Sequence, residues 1–399
     1  MGTGVVKAAV VEEHQGRPRL IAVFREFSSG LRKGAVVELT EATTAIARVC
    51  AEVKKVAKSG LKTVYVNVGT PHVKTQHSHG VVAVSRADSE IYGDDIERVT
   101  KSSQAVSMGP NRMVIHTVTR EYVVDGVGDI IDPLGLSGNR LEVHNILIDA
   151  FSPHVRGLIR VVELSGAKIG GMVFTPLAAA RAALAKSQRN LGVVLIDIGF
   201  GTTGMAVYEE NKLAATTVFP VGAGNITNDI AVGLRIPVAA AEEIKLRYGY
   251  ALAKEVSQKE SIDLGKLVPD AKGPVSRRFV SEIIESRLAE IFEFVNNELK
   301  LLHKAGGLPG GAVLVGGGAK MPGITGLAKQ ELKLTSQVGL ALADEWDPQS
   351  KASFPDAFED PDLVNVLGLS LWGAEQEGWR PKSGISWKGI KSLARYFLP

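Results

Sequence analysis

The stretch that most constrains this chain is Asp197-Ile198-Gly199-Phe200-Gly201-Thr202-Thr203, which follows the short apolar run Val193–Ile198 and turns back into extended periodicity at 204–208. Glycine in such a turn lets backbone N–H groups approach phosphate oxygens, because no Cβ stands in the way. The threonine hydroxyls add donors. Asp197, at the strand end, suits Mg²⁺ held through water, as hard divalent cations prefer. The same letters also describe a plain β-hairpin whose turn needs glycine, so the segment alone leaves both readings open.

Two further signals lie downstream. Gly316-Gly317-Gly318-Ala319 follows the strand-like Ala312–Val315 and precedes helical periodicity over Ile324–Leu332. Bare backbone there allows a flat base or ribose to lie against it, and a helix N-terminus favours phosphate. Between the two glycine turns, Glu242 and Lys245 sit three apart on a helical stretch and share a face. They read either as a clamp for ribose hydroxyls and a base edge or as an exposed ion pair worth a few tenths of a kcal/mol.

Around these signals strands and helices alternate, as in an α/β fold. Residues 4–24 read as extended, 40–59 as a helix stopped at Gly60, and 63–68 as a buried strand. Residues 75–149 differ. Strand-like stretches at 80–84, 113–118 and 141–147 surround one helical piece near 92–107, which predicts an α+β insert. Helical periodicity covers 154–190, 226–250 and 277–304, with a polar loop or hairpin between the last two. The strand–turn–strand patterns at the N-terminus and at Val193 resemble each other and suggest a duplicated architecture.

Composition narrows the function. The 399 residues imply two or more core-bearing units. A balance of 46 basic against 43 acidic residues, net +3, argues against nucleic acid as a bulk partner. The single cysteine, Cys50, forms no internal disulfide, which fits a reducing cytosol. The eight histidines lack metal-ligand spacing. No apolar run is long enough to span a bilayer, and no signal peptide is expected.

Taken in order, strand–DxGxGTT, helical AExxK and strand–GGGA resemble the superfamily of actin, chaperone ATPases and sugar kinases. The finer resemblance is to the FtsA family of bacterial cell-division proteins. Residues 132–141, Asp-Pro-Leu-Gly-Leu-Ser-Gly-Asn-Arg-Leu, are similar to its PxGLSGxR element. Residues 221–231 are similar to its GNxxTxDIA element. The resemblance implies an actin-like (ribonuclease H-like) two-lobe fold with ATP and Mg²⁺ in the cleft. Lobe one would comprise 1–74 and 150–190, with 75–149 as an SHS2-type insert called 1C. Lobe two would comprise 191–225 and 306–374, its last helix returning to lobe one, with 226–305 as subdomain 2B. The implied nucleotide-binding residues are Gly2, Thr3, Gly4, Asp197, Gly199, Phe200, Gly201, Thr202, Thr203, Gly222, Asn225, Glu242, Lys245, Gly316, Gly317, Gly318 and Ala319, with Asp197 reaching Mg²⁺ through water. The implied partners are further copies in actin-like filaments, other divisome proteins and the C-terminal tail of the tubulin-like FtsZ. That tail would bind in 2B near basic residues such as Arg277, Arg278 or Arg287.

Two departures from the family pattern stand out. The family's first phosphate loop follows an apolar strand ending in Asp-x-Gly-Thr, whereas Gly2-Thr3-Gly4 here follow Met1 directly. Either a misassigned start or a truncated chain accounts for that. Thr175 stands where the chaperone ATPases carry a water-positioning glutamate, and threonine is a poor general base. Phe200 and Gly204 also replace a glycine and an aspartate of the second phosphate loop. Nucleotide binding with slow or negligible hydrolysis is therefore expected, with no catalytic residue assigned.

The tail carries the second physical signal. Residues 375–384 read as a tether and 385–399 as an amphipathic helix. Trp387, Ile390, Leu393 and Phe397 recur at three- and four-residue spacing, with Lys388, Lys391 and Arg395 on the other side. Basic flanks and aromatics favour a helix lying in an anionic membrane surface over one docked on the chain's own core. The expected location is the cytoplasmic face of the bacterial plasma membrane at the division septum. A PilM-like pilus-assembly protein and a small-molecule kinase of the same fold are the competing readings.

Overall fold

The structure, a computed structural model, describes residues 1–266 and 273–379. β1 (Val5–His14) and β2 (Arg17–Phe27) form an antiparallel hairpin. Gln15 and Gly16 at its tip have φ of 53° and 80°, the left-handed pair that matches strand twist in a two-residue turn. α1 (Leu39–Val56) buries Ala42, Ala45, Ile46, Val49 and Val53, the three- and four-residue spacing of one helix face. β3 (Val64–Val68) follows.

The chain then leaves this lobe for the insert. β4 (Lys74–Ala83), β5 (Arg112–Val124), β6 (Val127–Ile130) and β7 (Arg140–Phe151) make an antiparallel sheet in the order β4–β7–β5–β6. α2 (Gly93–Gln104) packs on it closely at Gly80, where a Cβ would lie 2.3 Å from the Val99 carbonyl oxygen. α3 (Ser152–Leu164) returns to lobe one and leads to β8 (Ile169–Phe174), which runs parallel to β3, and to α4 (Thr175–Ala183). The helical periodicity expected over 154–190 is thus interrupted by a strand. Gly170 and Gly171 hide that strand, because a Cβ on either would strike Thr63 or Tyr65 at 2.4 and 2.8 Å. Close backbone approach leaves little side-chain pattern to read.

Lobe two opens with β9 (Val193–Ile198), β10 (Thr203–Glu209) and β11 (Lys212–Phe219). The expected single helix over 226–250 is two, α5 (Ala223–Leu234) and α6 (Val238–Tyr248). Arg235 turns left-handed at φ 54°, and Pro237 has no N–H with which to continue a helix. α7 (Arg277–Leu301) is capped by Ser276, whose Oγ accepts from the Phe279 N–H. β12 (Ala312–Val315), α8 (Ile324–Leu332) and β13 (Ser336–Val338) complete a five-stranded sheet in the order β11–β10–β9–β12–β13. Its central strand, β9, is antiparallel to β10, parallel to β12 and buried at all six residues.

α9 (Val364–Gln376) crosses back onto α4. The two backbones nearly touch, since a Cβ at Gly368 would stand 1.9 Å from the Ala178 carbonyl oxygen. α9 includes Glu375 and Gln376, so the expected tether starts later than the glycines and prolines suggested. The predicted membrane residues Trp387, Lys388, Ile390, Lys391, Leu393, Arg395 and Phe397 lie outside the described residues. Among those described, no helix is long and apolar enough to cross a membrane.

Candidate functional site

A cavity of about 490 Å³ opens between the strand ends of the two lobes. Gly2, Thr3 and Gly4 line it from lobe one. Asp197, Gly199, Phe200, Gly201 and Thr202 face them from lobe two, with Gly316, Gly317 and Gly318 beside them and Glu242 and Lys245 at the far wall. The two loops interlock. A Cβ at Gly201 would meet Thr3 Oγ1 at 2.9 Å, and one at Gly4 would meet the Phe200 ring at 3.0 Å.

Four of the predicted residues support the cleft without lining it. The first N–H groups of α5 are spent on the loop: Ala223 donates to the Gly199 carbonyl at 2.8 Å and Gly224 to that of Phe200 at 2.7 Å. Asn225 Oδ1 accepts from the Gly222 N–H at 3.1 Å, and a Cβ at Gly222 would lie 2.5 Å from the Gly199 oxygen. Thr203 is buried and donates its hydroxyl proton to the Val221 carbonyl at 2.9 Å. Ala319 packs into the lobe-two core. These bonds hold the 199–202 loop from behind and leave its front open.

Asp197 ends β9 inside the cleft, nearly buried. Asn365 on α9 donates to its Oδ2 at 2.8 Å, while Oδ1 has no hydrogen-bond partner among the described residues. Burial pushes its carboxyl up to about 6, against the pull of the Asn365 hydrogen bond and the Lys7 charge. Gly316, at φ 85°, is the only residue type that fits beside it, since a Cβ would stand 2.4 Å from Oδ1. Lys7 on β1 donates to the Asp362 carbonyl oxygen at 2.9 Å and pairs with its carboxylate. Lys7, Asp362 and Asn365 all line the cleft, yet no local motif marks them in the sequence. An orphaned buried carboxylate oxygen beside a cradle of bare backbone fits a cation-bridged phosphate. Asp197, flanked by Asn365 and Lys7, would hold the cation through water, and the glycine turns would hold the phosphates.

At the far wall Lys245 is buried, and its Nζ donates to Glu242 at 2.7 Å, Thr227 Oγ1 at 2.9 Å and the Ala223 carbonyl at 3.3 Å. Burial lowers its ammonium below the ordinary lysine range, offset by Glu242. Its three donors are therefore occupied, which fixes Glu242 as the more exposed, outward-facing acceptor of the pair. The Phe200 ring lies 5.6 Å from Nζ and roofs this end. At the opposite end Asn67 donates to Thr175 Oγ1 at 3.1 Å, and both residues line the cleft.

Comparison with known proteins decides the family. Residues 194–368 match the family model described as cell division protein FtsA, and residues 70–148 match the SHS2 domain inserted in FtsA. The chain is 36% identical to the cell division protein FtsA of Bacillus subtilis over 84% of its length and 76% of that protein's. This chain belongs to the FtsA family. It is also 32% identical to the FtsA of Pseudomonas aeruginosa, over 94% of this chain and 88% of that one. The actin-like fold is shared more widely. The PilM-PilN type IV pilus biogenesis complex aligns with a TM-score of 0.65 at 17% identity, over 94% of this chain and 97% of that one. MreB5 of Spiroplasma citri bound to ADP aligns at 0.52 and 14%, over 96% and 97%.

The FtsA-like sequence elements have clear structural work here. In the PLGLSGNR element a Cβ at Gly138 would lie 2.3 Å from Val124, and the Asp125 carboxylate accepts from the Asn139 and Arg140 N–H groups. The basic residues expected to meet a partner are engaged within the chain. Arg287 forms a two-point pair with Asp229 at 2.6 and 3.0 Å and also pairs with Glu290. Arg277 pairs with Glu260, and Arg278 stands 3.7 Å from Glu282.

Proposed function

We propose that this chain binds a magnesium adenine nucleotide between its lobes, assembles with further copies, and holds the FtsZ ring at the cytoplasmic membrane face. The observation that carries the reading is the meeting of the Asp197 and Gly316 turns, with Lys245 and Glu242, around one cavity. Within it the chain's own groups bind and orient. The glycine turns offer N–H donors, Asp197 offers a carboxylate, and Glu242 faces the position of ribose hydroxyls. Thr175 offers a hydroxyl where efficient hydrolysis needs a base, which supports turnover below about 1 s⁻¹.

Membrane attachment rests on residues 385–399. About four large apolar side chains, at roughly 1.5–3 kcal/mol each when fully buried, make one tail a reversible anchor. Assembly would multiply tails and make attachment firm through effective concentration. Co-sedimentation with anionic vesicles tests this coupling. Mg-ATP should raise the bound fraction of the intact chain, and Trp387→Glu should remove it. Unchanged binding by that variant would count against the tail. Arg278 and Arg287 are proposed to meet the FtsZ tail only after exchanging their present acidic partners. The likeness to PilM keeps a pilus-assembly role as the second reading, and capture on an FtsZ C-terminal peptide separates the two.

A further inference from the structure

β3 and β8 run parallel, and their C-terminal ends lead into Gly69 and Thr175 of the nucleotide cleft. Their N-terminal ends therefore mark the opposite side of lobe one. α9 spans the same distance. Asn365 near its start reaches the cleft, and Glu377 just past its end accepts from the Tyr65 hydroxyl at 3.1 Å. The helix stops there in a fixed way. Gly378 turns left-handed at φ 77°, its N–H donates to the Glu375 carbonyl at 3.0 Å, and the Trp379 N–H donates to that of Ala374 at 2.9 Å. The chain beyond residue 379 thus leaves from the side opposite the cleft.

Lysines gather around that exit. Lys62 lies three residues before Tyr65, about 10 Å along an extended chain. Lys168 is stitched beside it, its N–H donating to the Leu61 carbonyl at 2.8 Å and its carbonyl accepting from the Val64 N–H at 2.9 Å. Lys58 precedes this turn, and Lys54 in the last turn of α1 reaches over Gly166, where a Cβ would lie 3.6 Å from its Nζ. All four are exposed. Among the described residues none of them is held in an ion pair, unlike Lys55, which Glu52 takes at 2.6 Å. Of the acids nearby, Glu377 is bound by Tyr65 and Glu375 faces Arg181 at 3.9 Å, which leaves Glu163 of α3.

We infer that this lysine-rich side of lobe one is a second membrane contact, meeting the anionic headgroups of a lipid surface while residues 385–399 lie in it. The inference rests on the membrane reading above. Reach decides it. The five residues 380–384 bridge at most about 20 Å between Trp379 and residue 385. A helix lying in the surface from 385 therefore holds the end of α9, and the lysines around it, against the bilayer. Charge acts on an anionic surface only within a Debye length, about 8 Å, so a tether this short is what makes these lysines count. The tether adds Arg380 and Lys382 and no acid. Four ammonium groups spread over a convex side suit a sheet of charge rather than a single phosphate, which needs donors that converge.

The test uses the full chain and vesicles of phosphatidylglycerol in phosphatidylcholine, read by co-sedimentation. Replacing Lys58, Lys62 and Lys168 together by Gln should lower the partition constant at least about ten-fold in low salt, and parent and variant should converge at 0.5 M salt. The same charge change made on lobe two, with Lys259, Lys300 and Lys329 replaced by Gln, should leave partition within about two-fold. Equal losses in the two variants would overturn the inference, because net charge alone would then act. An unchanged partition in the lobe-one variant, with binding still abolished by Trp387→Glu, would overturn it too and leave the tail as the whole anchor. Absence of binding by the parent chain would remove the membrane reading and this contact with it.

Discussion

Lobe two carries an unbroken five-stranded sheet, whereas among the described residues of lobe one β1 pairs with β2 and β3 with β8, on either side of a cavity of about 360 Å³. The difference shows how a buried central strand positions the turn that follows it. β9 delivers Asp197 to the cleft from a fully buried strand and locks its loop to α5. On the other side the loop at Gly2–Thr3–Gly4 leads into β1. It is held by the Gly2 N–H donating to the Val5 carbonyl at 3.2 Å, the Ser28 N–H donating to the Gly4 carbonyl at 3.0 Å and the Gly34 N–H donating to Thr3 Oγ1 at 3.3 Å.

The largest expected contrast is in core stability. Ile196→Ala in the central strand should cost about 4 kcal/mol, because every neighbour is fixed and the cavity cannot collapse. Val66→Ala, whose side of β3 lines that cavity, should cost about 1–2 kcal/mol. Equal losses in urea denaturation would mean that the cavity has no mechanical consequence.

Next comes pH. The Asp197 carboxyl sits at about 6 when folded against 3.8 for an unperturbed aspartate, so the folded state holds the extra proton and stability falls as pH rises from about 4 to 6. The effect is on the order of 3 kcal/mol. Asp197→Asn should remove this fall, as read from urea midpoints across that range.

How much of this was legible in the sequence divides along the same line. β9 to β11 and their turns could be read because β-branched runs end in glycine, and the Glu210-Asn211 turn takes a left-handed pair at φ 53° and 61°. β8 was hidden by two glycines, and the α5–α6 break turned on one left-handed arginine before a proline. In the cleft, the motif residues lie close in the chain. Lys7, Asp362 and Asn365 reach it only because β1 and α9 converge there, and the sheet order that brings them together is not a local property. An apolar-flanked lysine in a strand was the one available hint.

The smallest contrast is within the cleft. Lys245→Met should lower nucleotide affinity about 10- to 100-fold by releasing Glu242 from its charged partner. Thr3→Ala, on the facing loop, should lower it only about three-fold. Fluorescent-nucleotide displacement measures both, and a larger loss for Thr3→Ala would reverse the ranking of the two loops.

Titration calorimetry of the folded full-length chain with Mg-ATP tests the whole account most directly. Convergence of both glycine turns on one site predicts saturable heat at one nucleotide per chain, diminished when Mg²⁺ is chelated and in Asp197→Asn. A flat titration on a sample whose circular dichroism and melting are intact would contradict it.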